Sequence, residues 1–335
     1  MKKLQIPAQY QDKLSLRDTQ RAIKLIKDTF QKKLAVALNL DRITAPILVT
    51  KNSGINDDLN GVERKVHFSM KEIDGTAEVV QSLAKWKRMA LYRYGYSAGE
   101  GIYTDMNAIR RDDDVDNTHS IFVDQWDWER VICREERTLE FLQEVVRKIV
   151  AAFVETHELV KARFPQLTAV FQKEVTFLTS QELEDRYPGM TGKEREDAIT
   201  KECGTVFIMQ IGGKLRSGEK HDGRAPDYDA WALNGDLLFW NGILGRSLEI
   251  SSMGIRVDEE SLSRQLSLAG CDDRRELPFH KMLLNGELPL TIGGGIGQSR
   301  LCMLMMGCAH IGEVQASVWD EETVRVCAEA GVPLL

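Results

Sequence analysis

Residues 119–130 read HSIFVDQWDWER, and their alternation decides how the rest of the chain is read. In an extended strand, successive side chains point to opposite faces. Phe122, Trp126 and Trp128 then share one face, while Gln125, Asp127 and Glu129 share the other. The aromatic face suits packing against helices. The opposite face carries an amide and two carboxylates in a row. A solvent-facing antiparallel strand is the plain alternative, but water does not require three such groups in register. The preceding strand-like segment, 101–111, brings Arg110 to the start of an acidic loop over 112–118. An arginine fork beside such a face suits a carboxylate or a phosphate, because it donates two parallel hydrogen bonds.

The pattern continues outward. Ser15-Leu-Arg-Asp18 is a capping box, followed by apolar residues at helical spacing, which predicts a helix over 17–38. Residues 42–49 read as a strand interrupted by Pro46, which belongs at an edge or an interface because proline cannot donate to a ladder. Residues 52–61 read as a polar loop, and helices are expected over 80–91, 134–163, 192–203, 261–269 and 298–309. Strands are expected over 205–211, 233–240 and 248–257. They come in hairpins rather than alternating with helices. The expected fold class is α+β, a largely antiparallel sheet flanked by helices.

Bulk properties exclude several function classes. The longest nearly apolar run, 301–309, is too short to cross a bilayer, and no secretory leader pattern follows Met1-Lys2-Lys3. Six scattered cysteines without a C-x-x-C pair point to reduced thiols in a cytoplasm. The net charge of −7 and the lack of a basic tract give no large footprint for nucleic acid.

Two further stretches could carry chemistry. In TIGGGIGQSRLCMLMMG, 291–307, four glycines fall within five positions, but the spacing fits neither the dinucleotide fingerprint nor the P-loop. A tight turn into a buried helix is one reading, and a close approach to a ligand is the other. A second hairpin holds Asp236 and Glu249. If the strands turn near Asn241-Gly242, the two acids lie opposite each other, and a shared magnesium ion would relieve their repulsion. A different register would separate them. Asp222, Arg224, Asp227 and Asp229 precede this hairpin in a polar, turn-rich segment.

Seven blocks, in order, resemble the bacterial-type aspartate–ammonia ligases, which share the catalytic fold of class II aminoacyl-tRNA synthetases. They are VVQSLAKWKR (79–88), SAGEGIYTDMNAIR (97–110), FVDQWDWER (122–130), HDGRAPDYDAW (221–231), LNGDLLFWN (233–241), SSMGIRV (251–257) and IGGGIGQSRLCML (292–304). The resemblance implies a single class II synthetase-like catalytic domain over 1–335, with no anticodon-binding domain. It implies that L-aspartate, ATP and ammonia give L-asparagine, AMP and pyrophosphate through a β-aspartyl-adenylate. Residues 40–48 resemble the dimer strand of the class II fold, so a homodimer is implied.

By the same resemblance, Arg110, Asp236, Glu249, Arg256, Gly295 and Arg300 bind ATP, and Asp236 and Glu249 hold magnesium. Ser82, Lys87, Asp127, Asp229 and Ser252 bind the amino acid, with the lysine for a carboxylate and Asp127 for an ammonium. Arg110 and Gln125 serve activation. Asp57, with Asp58 as the neighbouring alternative, acts beside ammonia. No nucleic acid or membrane partner is implied. Two rivals stand beside this reading: an aspartyl- or asparaginyl-tRNA synthetase paralogue, and a non-catalytic synthetase-like binding protein.

Overall fold

The structure is a computed structural model, and it describes residues 4–51, 53–56, 59 and 63–335. Helix α1 (Leu16–Leu38) opens where the Ser15 side chain accepts the Asp18 N–H, and it closes at Asn39 in the left-handed conformation. Its buried stripe is Ala22, Ile26, Phe30, Leu34 and Leu38. Strand β1 (Leu40–Arg42) follows directly, and Pro46 sits in the irregular stretch before β2 (Leu48–Thr50). The expected single strand through the proline is therefore two strands in two different sheets. The physical reason is the missing N–H, which breaks a ladder at that position.

Strands β3 (His67–Ser69) and β4 (Thr76–Val79) join β2 in a small antiparallel sheet of order β2-β4-β3. The helix expected from residue 80 begins later, as α2 (Ala84–Tyr94). Strands β5 (Gly101–Ile109) and β6 (Phe122–Val131) form the first long hairpin. Helix α3 (Leu139–Arg163) starts at a Thr138 cap, after a short 3-10 turn over Arg134–Glu136. Next come β7 (Thr176–Thr179), α4 (Ser180–Arg186), α5 (Gly192–Cys203) and β8 (Thr205–Met209). The second hairpin is β9 (Asp229–Asn241) with β10 (Arg246–Arg256). Helices α6 (Glu259–Ala269) and α7 (Pro278–Leu284) lead to β11 (Thr291–Gly297), α8 (Gln298–Met306) and α9 (Glu321–Glu329).

The main sheet runs β1-β5-β6-β11-β10-β9-β8-β7. Only its two outermost pairs are parallel; all inner pairs are antiparallel. One face carries the main apolar core. Trp126 and Trp128 are buried there with Phe30, Phe153, Phe239 and the apolar residues of α8. The other face of β6, β11 and β10 is polar, and the candidate site stands on it. Among the described residues no helix is long and apolar enough to cross a membrane.

Candidate active site

The glycine run is explained by its neighbour strand. Antiparallel pairing sets Gly293 opposite Glu129, Gly295 opposite Asp127 and Gly297 opposite Gln125. A Cβ on Gly293 would stand 2.0 Å from Glu129 Oε2, and one on Gly295 would stand 2.2 Å from Gln125 Oε1. The polar side chains of β6 thus lean across β11 into space that glycine leaves open. Gly294, Gly295 and Gly297 also border a cavity of about 400 Å³ over this face.

Beneath the cavity lies a buried ionic floor. Lys87 Nζ donates to Asp127 Oδ1 at 3.1 Å and to the carbonyls of Trp128 and Gly294, each at 3.0 Å. These contacts use the three hydrogens of the ammonium group. Burial lowers the Lys87 pKa, while Asp127 and Glu129 work against that shift. Asp127 Oδ2 is also buried, and it has no hydrogen-bond partner among the described residues. The Arg256 guanidinium lies between two acids: its Nε and Nη2 donate to Glu129, the latter at 2.7 Å, and its Nη1 donates to Asp229. Burial alone would raise the Glu129 pKa, but Arg256 next to it brings the net shift below the usual carboxylate value.

The cavity rim carries two arginines that are not ion-paired among the described residues. Arg110 donates only long bonds, 3.3 and 3.4 Å, to the Gln81 carbonyl. Arg300 donates to the Glu249 carbonyl at 3.0 Å and meets His119 Nε2 at 2.7 Å. Because a guanidinium only donates, His119 Nε2 must accept, and His119 Nδ1–H then faces Asp116 Oδ1 at 2.9 Å. Ser82 borders the cavity with its Oγ accepting the Ala84 N–H at the start of α2, and Ser252 borders it from β10.

Asp236 and Glu249 do not lie directly opposite each other, which corrects the expected register. A four-residue connection between Asn241 and Arg246 sets Glu249 opposite Leu238. An extra residue in β10 then shifts the pairing, so that Ser252 faces Asp236. Glu249, Ser252 and Asp236 consequently share one face of the sheet. Arg224 Nη2 donates to Asp236 Oδ1. Burial pushes the Asp236 carboxyl up to about 7, with Arg224 pulling it down and Glu249 adding to the rise.

Asp57 and Asp58 lie outside the described residues, although Leu59 and Glu63 of the same loop border the cavity. Asp227, from the same turn-rich segment as Asp229, belongs to a different cluster. It pairs with Lys85 at 3.1 Å, and with Arg274 and His280 at 3.0 Å each, beside a second cavity of about 300 Å³. Sequence reasoning left Arg224 and His119 without roles. Their only local signal is a charged or titratable residue in a polar loop, which looks the same as a solvated one.

The sheet order and this polar face define the catalytic fold of the class II aminoacyl-tRNA synthetases. Asparaginyl-tRNA synthetase from Pyrococcus horikoshii, solved with asparaginyl-adenylate, superposes with a TM-score of 0.63 at 17% identity, covering 89% of this chain and 68% of that one. Aspartyl-tRNA synthetase from Entamoeba histolytica gives a TM-score of 0.61 at 16% identity, covering 89% of this chain and 57% of that one. The family model for aspartate–ammonia ligase matches residues 17–331. An aspartate–ammonia ligase from Clostridium perfringens is 60% identical over the full length of both chains. Another, from Lactobacillus johnsonii, is 58% identical over 98% of this chain and 99% of its own. The chain belongs to the aspartate–ammonia ligase family.

Proposed function

We propose that the protein amidates L-aspartate with ammonia at the expense of ATP, through a β-aspartyl-adenylate. The observation that carries this reading is one cavity with two arginines, Arg110 and Arg300, at its rim and, at its floor, a buried Asp127 carboxylate oxygen with no partner among the described residues. The oxygen accepts the α-ammonium group of aspartate, and Lys87 fixes it from behind. In this reading Lys87 acts through Asp127 rather than on the substrate carboxylate. Arg256 holds Asp229 in the same way.

In the first step an oxygen of the β-carboxylate attacks the α-phosphorus and pyrophosphate leaves. Arg110 and Arg300 offset the charge gathered on the phosphates. Gln125, Ser82 and Ser252 orient the amino acid so that only its β-carboxylate reaches phosphorus. In the second step neutral ammonia attacks the acyl carbon and AMP leaves with the bonding pair. Magnesium commonly takes one or two carboxylates and completes its shell with phosphates and water. Glu249 borders the cavity and Asp236 lies on the same face, so this pair fits such an ion, which would supply charge neutralisation at the polyphosphate.

Aspartate-dependent exchange of pyrophosphate into ATP, with no ammonia and no tRNA present, tests the first step. The reading expects exchange, and its absence would overturn the adenylate route. Asp57 is proposed to take the proton from ammonium. In Asp57→Ala exchange should persist while asparagine formation falls, and higher pH should restore part of the product rate. Equal loss of both half-reactions would remove Asp57 from that role.

The protein is further proposed to be a homodimer. Ile47, just before β2, and Leu48, its first residue, are 56% and 38% exposed. Light scattering should give about twice the chain mass of 37.9 kDa. A monomer at micromolar concentration would contradict this.

A further inference from the structure

Among the described residues that line the cavity, Arg224 is a cation whose position the reading above leaves without a use. It comes from the turn-rich segment before β9, and its Nη2 donates to Asp236 Oδ1 twelve residues along the chain. Its side chain is 11% exposed. The Nε–H is buried and has no acceptor among the described residues. The groups with the largest electrostatic pull on it include the acids Asp236, Glu249 and Asp229. A fork-shaped donor is therefore held in the cavity wall with one hydrogen bond made and one donor unmatched. A counter-ion for Asp236 alone would not need a second donor left over in the cavity wall. A buried guanidinium with an unmatched N–H is instead matched to an acceptor that enters later.

We propose that Arg224 is the resident counter-ion of the Asp236–Glu249 pair, and that it exchanges this place for the nucleotide's phosphates. In the free protein it neutralises the two acids. When ATP enters, Arg224 turns its Nη2 and free Nε–H to phosphate oxygens, with or without metal, and a divalent cation arriving with the nucleotide takes over the carboxylates. The inference rests on the nucleotide reading of this cavity. It has an unusual consequence, because removing the guanidinium moves two affinities in opposite directions. A divalent cation without nucleotide gains two carboxylates with no competitor, while ATP without metal loses a donor.

The test is calorimetric titration of the full chain with Mn2+ alone, and separately with ATP in the presence of a chelator. In Arg224→Gln, Mn2+ should bind roughly tenfold tighter and ATP roughly tenfold weaker than in wild type, about 1.4 kcal/mol each way. Arg224→Lys keeps a charge but loses the fork; it should leave Mn2+ affinity close to wild type and still weaken ATP. Adding Asp236→Asn to Arg224→Gln should abolish the Mn2+ gain. Unchanged Mn2+ affinity in Arg224→Gln, or unchanged ATP affinity in both single variants, would overturn the proposal while the nucleotide reading stands. If Arg224→Gln fails to fold, the lysine variant decides, and wild-type ATP affinity there overturns the exchange. Lack of ATP binding by the wild type would overturn the nucleotide reading itself, and this inference with it.

Discussion

Gly293→Ala should lose about 3–5 kcal/mol of stability, the range seen when one partner of a buried ion pair is displaced. The added methyl carbon would stand 2.0 Å from Glu129 Oε2 and 2.7 Å from Arg256 Nη2. Neither neighbour has room to yield. Glu129 is completely buried, accepts from Arg256 through both carboxylate oxygens, and also accepts the Thr291 hydroxyl at 2.7 Å. Strand β11 is paired on both sides, with β6 and β10, so the backbone cannot drift outward. Either the carboxylate leaves its arginine, or the central strand shifts. Urea unfolding measures the loss. Gly213→Ala is the control, since a Cβ there meets nothing within 4 Å, and it should stay within about 0.5 kcal/mol of wild type. Equal midpoints for the two variants would show that the glycine run is not shaped by the side chains of β6.

Arg110→Ala should cut aspartate-dependent pyrophosphate exchange by roughly 100-fold or more, the scale of losing one preorganised donor. Among the described residues its hydrogen bonds go to one backbone carbonyl at 3.3 and 3.4 Å, so the folded state loses little when it is removed. What disappears is a fork at the cavity rim that pairs with no acid among the described residues. Arg110→Lys should recover only part of the rate, because a point charge does not reproduce two parallel N–H bonds. Wild-type exchange in Arg110→Ala would take this residue out of the activation step.

These two residues also show what a single sequence can and cannot reveal. The alternation in residues 122–130 was legible because strand geometry acts over two residues: Trp126 and Trp128 enter the apolar core, and Asp127 and Glu129 enter the ionic floor. The helix start at the Ser15 side-chain cap was legible for the same local reason.

The purpose of Gly293 and Gly295 was not, since the atoms that need the space sit on a strand more than 160 residues away in sequence. The register of Asp236 and Glu249 depends on a connection length and on one extra residue in β10, neither of which has a signature in composition. The short strands β2, β3 and β4 carry too few residues for a period to show, and tertiary pairing makes them. The blocks that resemble aspartate–ammonia ligases identified the family, and the matching relatives support that assignment over the whole chain. They did not single out Arg224, whose meaning depends on the acids that surround it in space.

In the proposed reaction one cavity first adenylates the aspartate side chain and then delivers it to ammonia. The most direct measurement incubates the purified protein with aspartate, ATP and magnesium, with and without ammonium, and without tRNA, while AMP and asparagine are quantified together. AMP and asparagine should form in equal amounts, both dependent on ammonium, with pyrophosphate as the other phosphate product. Release of ADP and inorganic phosphate, or turnover that appears only when tRNA is added, would contradict this.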